Sequence, residues 1–111
     1  MSPRIWQTRI QDIIDAAKEI KVFIGSMDYI TFHHDVKTVR AVELNLIVIG
    51  EAANGIPDEI IKAHPEVPWH LMRAMRNRLV HVYFEVDPKL VWDTVQNDLP
   101  PLIAFLEDLI R

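Results

Sequence analysis

Apolar residues recur along this chain at spacings of three and four, and that period constrains the fold more than any other feature of the sequence. An α-helix returns to the same side about every 3.6 residues, so such spacing gives each helix one apolar face. The clearest seam is Trp6, Ile10, Ile13, Ala17, Ile20 and Ile24, and Ser2 can cap that helix with Pro3 in its first turn. The chain then breaks around GSMDYITFHHD. A second helix starts at Asp35 or Thr38 and runs through KTVRAVELNLIVIGEAAN, with Val39, Val42, Leu46, Ile49 and Ala53 on one face. Leu44, Ile47 and Val48 add apolar residues on its other faces, which predicts a central helix touched on several sides. Gly50 permits a close approach there.

Gly55 and Pro57 end that helix, and PDEIIKAHP reads as about two turns of helix with Pro57 and Asp58 at its start and Pro65 as its stop. Pro68 opens a third major helix whose core stripe is Met72, Met75, Leu79, Val82 and Val86. After Asp87 and Pro88 comes a last helical stretch, Lys89 to Arg111, with Val91, Val95, Leu99, Leu102, Leu106 and Leu109 inward. Pro100 and Pro101 should kink or restart it, because proline removes a helix hydrogen bond and disfavours helical geometry in the residue before it. The fold class expected is all-α: an up-and-down bundle of four main helices plus a short one, forming a single domain over residues 1–111. Half the residues are apolar, enough to build one core.

Composition narrows the function. The chain has no cysteine, which rules out a disulfide framework or a thiolate zinc site and favours an intracellular setting. The N-terminal segment MSPRIWQTRIQDIIDAAKEI interrupts its apolar positions with charges, so it reads as neither signal peptide nor membrane span, and a soluble, cytoplasmic protein is expected. A net charge of −4 argues against a generic nucleic-acid binder, since non-specific affinity comes mostly from Lys and Arg neutralising phosphates. Any nucleic-acid role must rest on a local patch.

Such a patch lies on the third helix. Between Val67 and His81 stand three arginines, two histidines and no acid. On a helical wheel Met72, Met75, Leu79 and Val82 share one quadrant, Arg76 and Tyr83 border it, and Arg73, Asn77 and His81 form a line around the far side with His70 near them. Arg76 and His81 are five apart and diverge by roughly 140° on an ideal helix. For both to touch one phosphate, the long arginine must reach around, the helix must loosen near His81, or a second copy must complete the site. Taken alone, the arginines could equally be a solvated face paired with carboxylates elsewhere. Other polar groups give weaker signals. His33, His34 and Asp35 suggest a metal corner but read more simply as a loop and a helix cap; His64 and His70 flank a turn at the surface. Glu51, polar within an apolar helix, is placed to pair with an arginine of the third helix, most simply as a buried structural ion pair.

The arrangement Arg76, four residues, His81, one residue, Tyr83, with Asn77 directly after the arginine, resembles the R-x4-H-x-Y motif of HepT-type toxins in the HEPN superfamily. The segment NLIVIGEAANGIP is similar to the family's Ile-Gly-Glu-Ala stretch, and the length, helix order and WDTVQNDLPPLIAFLE ending fit as well. The resemblance spans nearly the whole chain.

It implies a metal-independent endoribonuclease, the toxin of a type VII toxin–antitoxin system, acting as a homodimer with two motifs facing across a cleft and needing no cofactor. By the resemblance, Arg76, Asn77 and His81 are the catalytic residues, Arg73 and Arg78 weaker candidates for binding the RNA backbone, and Tyr83 the acceptor of AMP from a minimal nucleotidyltransferase antitoxin. The chemistry is transesterification by the ribose 2′-OH. An imidazole ionises near pH ~6.5, which suits His81 to general acid or base work, and a guanidinium offers permanent charge and a planar fork for phosphate. The partners so implied are RNA, a second copy and the antitoxin, with no DNA and no membrane. Two other readings use the same residues: a non-catalytic helical module that binds a nucleotide or a nucleotidyltransferase, and a plain dimeric helical scaffold.

Overall fold

A computed structural model describes residues 3–82 and 85–111. Helix α1, Pro3–Ile24, is followed by α2, Tyr29–His34, and α3, Val36–Asn54. Next come α4, Asp58–Ala63, and α5, Trp69–Val82. The chain ends in α6, Pro88–Asp93, a π-helical segment, Thr94–Asp98, and α7, Leu99–Ile110. The described residues form no strand. The all-α class expected from the periodicity is what the chain adopts, with α1, α3, α5 and α7 as the long members.

Helices α1, α3 and α7 turn inward the stripes their spacing marks. Ile10, Ile13, Ala17 and Ile20 of α1 are sealed from solvent and meet Val39, Val42, Leu46, Ile49 and Ala53 of α3 in a single core. Truncating one such buried isoleucine, Ile13→Ala for example, typically costs about 2–5 kcal/mol because the surroundings close only part of the cavity. A buried asparagine ties α1 to α3: the Asn45 side chain donates to the Ala16 carbonyl oxygen at 3.1 Å and to the Glu19 carboxylate at 2.8 Å. Helix α3 lies between α1 and α5 and also touches α2, so its central place follows from its apolar residues on several faces.

The ends carry the expected signals. Asp35 caps α3 by accepting from the Thr38 N–H at 3.1 Å, and Asp87 caps α6 from Lys89 with Pro88 in the first turn. The Ser2 cap lies outside the described residues. Two expectations need correction. The segment expected to break the chain contains a helix, α2, because Phe32 is buried with its ring 5.2 Å from that of Trp92 on α6. Its N-cap, Asp28, accepts from Thr31. The last stretch restarts at Leu99 after one π-helical turn, in keeping with the kink or restart expected at Pro100 and Pro101; wider turns of this kind let a helix continue where a proline withholds its N–H. Val82, assigned to the core stripe of the third helix, is exposed at the end of α5, while Val86 beyond it is buried.

Candidate functional site

The candidate site is built where α5 crosses α3. Gly50 makes the crossing close: a Cβ at this position would overlap the Cβ of Arg76 and come 2.8 Å from the Met72 carbonyl oxygen. Arg76 therefore leaves α5 at the contact line between the helices, and its side chain runs out alongside Glu51, the next residue of α3. The Arg76 Nε–H and an Nη2–H both donate to Oε1 of Glu51. Nη1 donates to Oδ1 of Asn77 at 3.0 Å. One guanidinium is thus tied to both helices.

This geometry corrects one expectation. Glu51 does pair with an arginine of the third helix, but the pair is not buried, since the Glu51 side chain is 53% exposed and that of Arg76 25% exposed. An ion pair so open to water contributes under about 1 kcal/mol to stability. Its consequence is orientation, because the guanidinium is held against Asn77 instead of sweeping through solvent. Asn77 and His81 are one helical turn apart on α5, and side chains so spaced are neighbours. The Arg76 guanidinium is thus drawn to Asn77, a residue on the same side of α5 as His81. His81 itself stands exposed in the last turn of α5.

The remaining basic residues do not converge on this point. Arg73 is half-buried, and its Nη2 donates to the Ala53 carbonyl oxygen at 3.3 Å, capping the end of α3. Arg78 points to the other side of α5, where with Leu71, Met75, Leu90, Asp98 and Leu102 it lines an apolar groove of about 260 Å³. Tyr83 lies outside the described residues. The His33 and His34 rings meet edge to face with centroids 5.1 Å apart, and Asp35 is engaged in capping α3. His64 lies 3.3 Å from Glu66, and His70 is exposed. The residue that sequence reasoning undervalued is Glu51; its signal was a carboxylate directly after a glycine in an apolar helix.

Two exposed apolar residues continue the site along α3. Leu44, Val48 and Glu51 fall within about 60° of one another around that helix, and both Leu44 and Val48 are open to solvent. On α5 the exposed Val80 lies one turn beyond Arg76 and Asn77. The arginine pair is thus flanked by aliphatic surface.

A family model described as ribonuclease HepT-like matches residues 13–109. A protein of Thermococcus cleftensis named as a probable ribonuclease HepT is 40% identical over 90% of this chain and 91% of its own. One of Methanocaldococcus jannaschii, provisionally described as an RNase, is 37% identical over 92% of this chain and 84% of its own. No solved structure matches the chain.

Proposed function

The chain belongs to the HepT-like ribonuclease family, and from that premise we propose that it is the toxin of a type VII toxin–antitoxin pair, an endoribonuclease that cuts RNA by transesterification in a cleft between two copies. The observation that supports the reading is the Arg76 guanidinium held between Glu51 and Asn77, one helical turn before His81 on α5. A positioned cation and an imidazole on the same helix are groups that in-line attack of a 2′-OH on the adjacent phosphorus can use.

In this mechanism an imidazole of His81 takes the 2′-OH proton as that oxygen attacks phosphorus. The bond to the 5′-oxygen breaks, and the leaving oxygen receives a proton from a second, protonated imidazole. The products are a 2′,3′-cyclic phosphate and a 5′-OH. Arg76 meets the charge that builds on the non-bridging oxygens, and Asn77 orients its neighbours. Two copies of the chain supply both imidazoles and double the local positive charge of a protein whose total is negative. The aliphatic surface of Leu44, Val48 and Val80 beside the arginine suits a second copy, because apolar area at the centre of a patch is what association removes from water. AMP addition to Tyr83 by a nucleotidyltransferase antitoxin then silences the toxin, setting phosphate charge and nucleotide bulk two residues from His81.

The test is cleavage of total cellular RNA by the purified protein in EDTA, with the ends of the products identified. Wild type is expected to leave cyclic phosphate and 5′-OH termini, and His81→Ala to leave the RNA intact while keeping its thermal unfolding midpoint. RNA that stays whole with wild type, or is cut equally by the variant, removes the ribonuclease reading; tight ATP binding without cleavage would favour a nucleotide-binding module. Incubation with the antitoxin and ATP should add AMP-sized mass to wild type and none to Tyr83→Phe.

A further inference from the structure

We propose that Glu51 is the positioning residue of the site: it holds Arg76 side-on, so that the outer edge of the guanidinium is presented to the scissile phosphate. The role rests on the ribonuclease reading above and adds to it a residue outside the arginine–histidine motif.

The argument begins with a count of donors. A guanidinium carries five N–H bonds in a fixed plane and has no acceptor. Glu51 Oε1 takes Nε–H and one Nη2–H along the side edge, and Asn77 takes one Nη1–H. One N–H on each terminal nitrogen is left, enough to grip two oxygens of one phosphate. Such forked pairing is the geometry in which arginine binds phosphate best. Without Glu51, the side edge would be as free to take the phosphate as the outer one, and a long side chain would lose rotamer freedom each time substrate bound. The carboxylate also stays partly solvated, so it fixes the arginine without neutralising it as a buried partner would. Gly50 completes the device, because only a residue without a Cβ brings the α5 backbone near enough for Arg76 to meet Glu51 at this angle.

The experiment compares Glu51→Ala, Glu51→Gln and Arg76→Ala with wild type on an oligoribonucleotide that wild type cleaves. Glu51→Ala should lower kcat by about ten- to a hundredfold, the scale on which small misplacement of a reacting group is felt, with KM little changed. Glu51→Gln keeps an oxygen that accepts the same two N–H bonds and should recover most of the rate. The double variant Glu51→Ala with Arg76→Ala should be no slower than Arg76→Ala alone, because a residue that acts through Arg76 has nothing left to position. If Glu51→Ala does not fold, Glu51→Asp, one methylene shorter, takes its place. A Glu51→Ala protein as fast as wild type, or faster, overturns the proposal, as does a double variant slower than Arg76→Ala. If wild type cuts RNA, His81→Ala does not, and Glu51→Ala is without effect, this role fails and the ribonuclease reading stands; a wild type that cuts no RNA removes both.

Discussion

Arg76 and Glu51 face each other across the α3 and α5 crossing, and the arginine spends two of its N–H bonds on a single carboxylate oxygen. The contact is possible because the residue before Glu51 is a glycine, and because Arg76 is itself the side chain that covers that glycine. Backbone approach and site geometry are therefore one feature of the fold, and a change to either residue should be felt by both.

Gly50→Ala should be destabilising by about 1–3 kcal/mol, the usual cost of overpacking a close contact. The added methyl meets Arg76 Cβ and the Met72 carbonyl, both anchored to the backbone of α5, so the helix must move bodily away. Urea unfolding should show a lower midpoint. RNA cleavage should fall further than the loss of folded protein explains, since Arg76 would be carried off Glu51; cleavage that tracks the folded fraction would separate packing from site.

Leu44→Glu and Val48→Glu should leave the folded chain within about 0.5 kcal/mol of wild-type stability, as expected for substitutions at solvent-exposed positions. Each puts charge on the aliphatic surface beside Glu51 and should shift a dimer towards monomer in sedimentation, with cleavage falling in parallel. A dimer that survives both changes would mean that this face is not where two copies meet.

The capping carboxylate of Asp28 gives the fold a pH dependence of known sign. Hydrogen bonding from Thr31, chiefly its backbone N–H at 2.8 Å, holds the Asp28 carboxyl below its ordinary value of 3.8. The folded state therefore favours the ionised form. The stabilisation is present above the unfolded-state value and is lost as pH falls through the lower, folded one. Asp28→Ala should unfold at a lower temperature than wild type near pH 7, and the gap should narrow below pH ~4 as the wild-type carboxylate is protonated. A gap that is constant from pH 7 to pH 2 would show that the charged cap does not contribute.

Most of the helical framework was legible without coordinates. The seams of α1, α3 and α7 could be read residue by residue because their period of three and four has no other use. The cap at Asp35 was legible because a short polar side chain before a helical run offers its oxygen to N–H groups that otherwise have none. Helix α2 was not, since six residues hold a helix only when Phe32 finds Trp92, sixty positions away in the chain. Val82 failed for a related reason: a periodic pattern marks which side of a helix is apolar, not how far along it the neighbouring helix extends.

The same division runs through the site. Sequence alone determined which groups are available: an arginine, an asparagine and a histidine on one basic helix, a tyrosine after them, and a glycine and a glutamate side by side on another. Their types set the chemistry, since charge, proton affinity and hydrogen-bonding capacity belong to each side chain wherever it stands. Tertiary structure decided which of them meet. It turned Arg73 to the end of α3, left Arg78 on the far side of α5, and drew Arg76 round to Asn77 by fastening it to Glu51. A helical wheel assigns each residue a direction from its own axis only, whereas a long side chain goes where a partner on another helix accepts its hydrogen bonds, and that partner's place is fixed by how the two helices pack.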